Sequence, residues 1–448
     1  MTRFVVAGGG VAGLAAALAL TTHGHRIVVL ERGPEFTEIG AGIQLAANAF
    51  DALDRLGVGA RVRHRAVHVD ELRFMDGITG DRVAGMPLRE AYRRRFGNPY
   101  AVVHRNDLYR PLLDACRAAG SVELRAGDAV VRYEASAAGI AAVLASGGTV
   151  EGDALIGADG IRSAIRSQML SDGPPRQIGH TIYRCLVPMA EVPAELRWSA
   201  VTLWAGPGWH VVHYPIAGSR YLNLAATRVE GAGRAASGTP LAAAQVRLRF
   251  PGLAATARRP LCLGNQWRAW RVCDRAPAPQ WTDGRVVLIG DAAHPMVHYA
   301  AQGAAMALED AVLLGDLINS SAADLPARFG EFVAARRDRT ARTQLVARQM
   351  GTRLYHPAGA AATARNALLR SLSVDDLYEK VAWLHAPERY AKPSRRTARL
   401  GLRCHRPRLS ASPSAPSCSR ISETSRTTGQ VRTSDLPTGP CRGARWGA

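Results

Sequence analysis

Residues 3–32 constrain the fold of this chain more than any other stretch. Arg3-Phe-Val-Val-Ala leads into Gly8-Gly9-Gly10-Val11-Ala12-Gly13. An Ala/Leu-rich run follows to Leu20, then Arg26-Ile-Val-Val-Leu-Glu31-Arg32. Phe4 to Ala7 is a short apolar run of the kind that forms a buried parallel strand. Leu14 to Leu20 is strongly helix-forming, and Ile27 to Leu30 is a second apolar strand ending in an acid. Gly8, Gly10 and Gly13 fit G-x-G-x-x-G: one for the tight turn, one for close approach of a diphosphate, one for helix–strand packing. The diphosphate then faces the positive end of a helix. Glu31, eighteen positions after Gly13, can accept hydrogen bonds from ribose. A β-α-β dinucleotide unit is predicted.

A length of 448 residues allows two or three domains. No apolar run is long enough to span a membrane. Phe4 to Leu20 has too thin a basic start and too many glycines for an export signal. The seven cysteines are scattered without C-x-x-C or metal-ligand spacing. That suits a reducing cytoplasm and argues against disulfides and bound metal. The net charge of +20 suggests nucleic acid until its distribution is read. Residues 394–448 hold eleven Arg, no Lys and two acidic residues, so they supply +9. The rest is spread along the body, with one cluster at Arg93-Arg94-Arg95 and no groove-entering motif, so no nucleic-acid partner is expected. A basic body favours anionic small molecules.

Further along, Gly40-Ala-Gly42-Ile-Gln44 suggests close backbone approach to a ligand or an ordinary loop. Leu72 to Arg82 reads as a hairpin. His104-Arg105-Asn-Asp107 opens an amphipathic helix ended by Gly120. Val122 to Glu134 and Ile140 to Val150 read as strands. Gly157-Ala-Asp159-Gly160 ends another short apolar strand, where ligands bind in open α/β sheets. The middle third turns to short strand-like runs, 180–188, 200–204, 210–215 and 221–228, which predict a largely antiparallel second domain. Val286 to Ile289 returns to the parallel pattern and ends in Gly290-Asp291-Ala-Ala-His294-Pro295. A long helix opens near Gly303, and helices continue to about His385. From about 388 the sequence is rich in Ser, Arg and Pro. It reads as a disordered tail or as translation in a shifted frame, and carries no assigned function.

His210 and Tyr214 lie four apart on one strand and so share a face, with His213 on the other. Each imidazole or phenol there is either structural or a proton-handling group.

The glycine fingerprint, Gly157-Ala-Asp159-Gly160 and Gly290-Asp291, in that order, resemble the single-component FAD-dependent aromatic hydroxylases. The resemblance covers roughly residues 1–385. It implies an α/β fold: a Rossmann-like FAD-binding domain with a parallel sheet (1–72, 98–178 and 280–325), a mainly antiparallel substrate domain (73–97 and 179–279) and C-terminal helices (326–387). Arg95-Phe-Gly-Asn-Pro-Tyr, Leu203-Trp-Ala-Gly-Pro, His210-Val-Val-His-Tyr214-Pro and Tyr355-His-Pro-Ala-Gly are similar to the 3-hydroxybenzoate 6-hydroxylase branch. That branch forms gentisate with NADH and O2. Salicylate 1-hydroxylase-like and 6-hydroxynicotinate 3-monooxygenase-like activities share the scaffold. A flavin-fold reductase or halogenase, or a non-catalytic flavin-binding protein, stays open beside them.

By this resemblance the FAD-binding residues are Gly8, Gly10, Ala12, Gly13, Glu31, Arg32, Gly42, Arg105, Val130, Asp159, Asp291, Gly303 and Ala304. Glu31 binds the ribose, Val130 lies near adenine, and Arg105 and Asp291 hold the pyrophosphate and ribityl chain. NADH or NADPH docks transiently. The partners are an aromatic substrate, O2 and NAD(P)H, with a homodimer left open. Contacts to the substrate phenol map onto His210, Tyr214 and position 298, where the 3-hydroxybenzoate branch usually carries Gln and this chain has His298. An imidazole can act as a base and an amide cannot.

Overall fold

The computed structural model describes residues 1–37, 40–136, 139–231, 233, 236–318 and 324–387. The described residues form one compact unit. The expected tail, 388–448, lies outside the described residues.

The opening fingerprint forms a strand at Arg3–Ala7, a helix at Val11–Thr21 and a strand at Arg26–Glu31. Phe4, Val5, Val6 and Val29 are fully buried, as strands covered on both faces must be. Six strands run in the order Thr282–Asp283, Val286–Leu288, Ala154–Gly157, Arg3–Ala7, Arg26–Glu31 and Val122–Ala126. Every neighbouring pair is parallel except the first. The register sets Ala7 opposite Gly157 and Gly157 opposite Leu288. The three glycine motifs are therefore side by side at the carboxyl edge of one sheet.

Small residues let the layers close. A Cβ on Gly13 would lie 1.9 Å from the Gly8 carbonyl oxygen, and one on Gly315, in the Gly303–Leu317 helix, 2.8 Å from the Ala19 Cβ. Gly8 has φ +109°, a conformation only glycine adopts readily.

The second large sheet has eight strands in the order Ser237–Leu241, Trp267–Asp274, Arg176–Pro188, Tyr221–Val229, Trp209–Ile216, Ala200–Gly206, Glu71–Asp76 and Arg82–Pro87. It is antiparallel apart from the parallel pair Ala200–Gly206 and Glu71–Asp76. The last two strands are the hairpin read from Leu72 to Arg82. Val122 to Glu134 divides into two strands, Val122–Ala126 and Val130–Ala135, parted at Gly127 (φ +80°). Ile140–Leu144 and Thr149–Gly152 part at Gly147 (φ +88°). Gly147-Gly148 marks the second break in the sequence, whereas alternating hydrophobicity does not show the first.

The C-terminal helices fasten this framework. Arg336, on the Leu325–Gln349 helix, is fully buried. It donates to Asp310 Oδ1 at 2.7 Å, to Glu309 Oε2 at 2.6 Å and to the Met306 carbonyl at 3.1 Å. Removing one partner of a buried ion pair leaves the other uncompensated, at about 3–5 kcal/mol. Exposed pairs contribute about 0–1 kcal/mol. Arg336→Met should therefore lower the urea midpoint strongly, whereas Arg55→Met, which removes the surface pair with Asp316, should barely move it. Equal midpoints for both variants would contradict the assigned weight of the buried network.

Candidate active site

At the carboxyl edge of the parallel sheet, Gly10 precedes the Val11–Thr21 helix, which has no side-chain cap and no acid in its first turn. Its leading N–H groups thus remain available to an anion. Glu31, half-buried, accepts from Gly9 N at 2.8 Å and from Gly33 N at 2.8 Å. Tyr109 donates to the Gly9 carbonyl at 3.0 Å, which pins the turn. Arg32 follows Glu31 and is exposed. The 127–128 turn donates to the Gly33 and Glu31 carbonyls, which brings Val130, at the start of its strand, to the same edge. Gly290 (φ +56°) packs on Ala12: a Cβ there would lie 2.8 Å from the Ala12 Cβ.

Asp159 Oδ2 accepts from Ala164 N at 2.7 Å, while its buried Oδ1 has no partner among the described residues. Burial raises its pKa against those hydrogen bonds. Asp291 is open to solvent yet closely surrounded by protein, as on the floor of a crevice. Burial raises its carboxyl pKa, and the charges of His294 and Arg105 oppose the rise. Arg105, the first residue of its helix, is likewise solvent-open. Gly303 opens the Gly303–Leu317 helix, whose N-cap, Gln302, makes no side-chain cap. A Cβ on Gly303 would meet only Asp291 Oδ1 and Met296 Cγ, both at 3.9 Å. Protein packing does not demand glycine at this position. A flat ligand lying over Gly303 and Ala304 would.

Sequence reasoning missed what positions this crevice. Asp310 Oδ2 accepts from Gly290 N at 2.9 Å and pairs with His294 Nε2 at 2.5 Å. Burial alone would raise the Asp310 carboxyl, but His294 and Arg336 outweigh it and hold the pKa at about 2. Arg166, almost wholly buried, donates to the Ala293 carbonyl at 2.8 Å and pairs with Asp172 at 2.7 Å. It ties the segment after Asp159 to the segment after Asp291. Neither arginine belongs to a motif, so nothing local flagged it.

A second cluster lies on one face of the eight-stranded sheet. Register places His210 opposite Thr227 and Thr227 opposite Ile182. The next row is Val212, Ala225 and Arg184, and then come Tyr214, Asn223 and Leu186. His210, Arg184 and Tyr214 therefore share a face with His180. His213 points to the other face, where Trp204 Nε1 donates to its Nε2 at 3.1 Å.

His210 and His298 come together, with ring centroids 5.9 Å apart. His298 Nε2 lies 3.2 Å from Thr227 Oγ1. Tyr214, four residues along the strand, sits roughly 13 Å from His210 at the backbone. It packs instead beside Gly42: a Cβ there would lie 2.5 Å from the Tyr214 ring, and one on Gly40 2.2 Å from His104. These side chains account for both glycines. Asn223 Oδ1 accepts from Gly42 N at 2.9 Å, and Tyr100 donates to Gln44 Oε1 at 2.5 Å.

Burial sets the protonation states here. It pushes the Tyr214 phenol up to about 12, opposed by the Arg184 charge and the Gln44 side chain. It lowers His298 to about 3, helped by the charges of Arg184, His180 and His356. His210 falls well below its ordinary value through burial and the charges of His356, His298 and His180. Both imidazoles are thus neutral at physiological pH. Arg184 makes no hydrogen bond or ion pair with any described residue. Burial lowers its pKa, Tyr214 counters, and the like charge of Arg105 adds, yet a guanidinium stays charged. Tyr299, Tyr355, His180 and His356 complete the cluster around His210; Tyr355 and His356 entered the sequence reading only within the stretch Tyr355-His-Pro-Ala-Gly, and none of the four as a site residue.

No helix among the described residues is long and apolar enough to cross a membrane, and no group of three or more metal-binding side chains occurs among them. The chain is 44% identical over 393 residues to 3-hydroxybenzoate 6-hydroxylase 1 of Aquipseudomonas alcaligenes, covering 87% of this chain and 99% of the relative. It is 42% identical over 381 residues to the 3-hydroxybenzoate 6-hydroxylase of Polaromonas naphthalenivorans, covering 85% and 95%. Its fold matches that of Klebsiella pneumoniae HpxO complexed with FAD and uric acid, with a TM-score of 0.76, 26% identity, and coverage of 86% and 97%. Residues 1–323 match the family described as the FAD binding domain, and the chain belongs to that family.

Proposed function

We propose that this protein is an FAD-dependent monooxygenase that hydroxylates a phenolic acid, with 3-hydroxybenzoate converted to 2,5-dihydroxybenzoate, using NADH or NADPH and O2. The two relatives of that name, aligned over most of this chain, support the substrate. The observation that carries the reading is the shared face on which neutral His210, with His298 packed beside it, stands at one end and Tyr214 at the other, with the unpaired Arg184 in the row between. A phenol needs the first and a carboxylate the second.

The glycine turn and the Val11–Thr21 helix start would take the FAD diphosphate. Glu31 and Arg32 would meet the ribose, Val130 would lie beside adenine, and Arg105, Asp159 and Asp291 would border the remaining polar parts. Gly42, Gly303 and Ala304 would approach the isoalloxazine. A flavin held there would supply the redox chemistry, taking up hydride equivalents and providing an electrophilic oxygen from O2. The protein must then make the ring electron-rich and keep water out. Arg184 and Tyr214 hold the substrate carboxylate. His210 Nε2, with no partner among the described residues, takes the hydroxyl proton, and His298 steadies the hydroxyl oxygen. A free phenol has a pKa of about 10, like Tyr, so an adjacent base is needed near neutral pH.

Incubating the FAD-loaded enzyme with NADH and 3-hydroxybenzoate, salicylate, 4-hydroxybenzoate or 6-hydroxynicotinate tests the assignment. The expected product is 2,5-dihydroxybenzoate, from 3-hydroxybenzoate alone. Preferential turnover of another acid would overturn it. In His210→Ala, hydroxylation should fall by about 10²–10⁴-fold while NADH oxidation continues and hydrogen peroxide rises. Normal coupling in that variant would remove His210 from the chemistry.

Hydrogen bonds to charged groups contribute roughly 1.5–3 kcal/mol. Arg184→Met should accordingly weaken 3-hydroxybenzoate binding about ten- to a hundredfold, with little effect on the uncharged 3-hydroxybenzamide. Equal losses for both ligands would show that Arg184 supports the pocket without binding the carboxylate.

A further inference from the structure

The proton that His210 removes must leave a buried site. His210 is 2% exposed, and its low affinity for protons means that it cannot store one. Its Nδ1 lies 2.9 Å from Nε2 of His356, with the rings stacked at 5.1 Å between centroids and 26° between planes. His356, unlike His210, is half-buried and reaches toward the surface. Resting on the functional reading above, we propose that His356 completes a two-imidazole proton wire, receiving from His210 the proton lost by the substrate hydroxyl and passing it to solvent.

The local fold builds this arrangement. The Leu325–Gln349 helix ends in a π-helical turn, Met350–Tyr355, and such turns recur at functional sites. Gly351 lets the turn press on Tyr299: a Cβ there would lie 2.7 Å from the Tyr299 ring. Tyr355 donates to the Tyr299 carbonyl at 2.9 Å. The backbone of His356 is fixed at both ends, its N–H donating to the Gly351 carbonyl at 3.1 Å and its carbonyl accepting from Gly208 N at 3.1 Å. Gly208 is in the turn that leads into the His210 strand. Both partners of the imidazole pair are thus held by one local framework.

The groups around the wire leave it uncharged. His356 faces His210, His180 and Tyr299, and His210 also faces His298, Tyr299 and Tyr355. Burial, then the His180 charge, lowers His356 to about 4. His180 is lowered by burial, and its Nδ1 is engaged with the Tyr299 hydroxyl. The transfer balances as follows. The hydroxyl O–H bond breaks and an N–H bond forms at His210 Nε2. His210 Nδ1–H passes its proton to His356 Nε2, and His356 Nδ1–H passes its proton to water. One phenolate and one solvated proton result. Both imidazoles end neutral in their other tautomer, and the reverse sequence resets them when the product takes a proton. His356 acts through His210 and does not touch the substrate.

The test mixes FAD-loaded enzyme in a stopped-flow instrument with 3-hydroxy-4-nitrobenzoate, whose phenolate absorbs visible light, below the probe's own pKa. A pH-indicator dye in weak buffer follows proton release. In the unaltered enzyme, phenolate formation and proton release should coincide. His356→Ala and His356→Gln should slow both by about 10²-fold or more, with the affinity for benzoate, which has no hydroxyl, unchanged. Added imidazole should restore the rate in His356→Ala and not in His356→Gln. Unaltered rates in both variants, or a loss in His356→Ala that imidazole leaves untouched while benzoate still binds, would overturn the wire. Should the variants fail to bind benzoate, the unaltered enzyme in H2O/D2O mixtures decides: a curved dependence of the rate on deuterium fraction supports several protons in flight, and a linear one contradicts it. An unaltered enzyme that ionises neither this probe nor 3-hydroxybenzoate would sink the functional reading itself, a result separate from a failed wire.

Discussion

The site depends on a buried ionic chain that runs from a distant helix to the carboxyl edge of the parallel sheet. Arg336 holds Asp310 Oδ1, and Asp310 Oδ2 holds both Gly290 N and His294. The loop carrying Asp291 is thereby fixed against the middle of the Gly303–Leu317 helix. Charges buried this deeply persist only when paired and hydrogen-bonded. Glu309 extends the same network to Asn48, whose Nδ2 also reaches Gln302, the N-cap of that helix. Arg166 and Asp172 perform the parallel task for the segment after Asp159. The glycines provide room for a dinucleotide, and the arginines give that room one shape.

The second sheet contributes chemistry through its period of two. One face carries His180, Arg184, His210 and Tyr214, the side proposed to hold the substrate. The other carries Tyr183, Cys185, Trp204, Val211 and Leu224 into an apolar core. The strand also separates the two polar ends expected of a hydroxybenzoate pocket. The sequence reading gathered His210, Tyr214 and His298 around one hydroxyl, whereas the extended strand sets Tyr214 with Arg184, apart from the histidine pair.

Much of the architecture was legible because short-range rules govern it. The β-α-β fingerprint, the hairpin near Asp76 and the His210/Tyr214 shared face all follow from local spacing. The glycines at 40 and 42 were legible as sites of close approach, though what approaches is His104 and Tyr214. Other features depend on contacts far apart in sequence. His356 meets His210 across 146 positions, at the end of a helix whose π-turn leaves no periodic signature. Arg184 stands in an ordinary strand, and only the register reveals that its neighbours are Ala225 and, beyond it, Val212. Arg336 resembles any arginine of a basic helix until Asp310 is placed beside it.

The orientation of the substrate on this face is the centre of the account, and a crystal structure of the FAD-loaded enzyme with 3-hydroxybenzoate tests it most directly. The account predicts the hydroxyl oxygen within hydrogen-bond distance of His210 Nε2 and the His298 ring, with the carboxylate on Arg184 and Tyr214. A ligand bound with its carboxylate at the histidines, or one that leaves Arg184 unpaired, would contradict it.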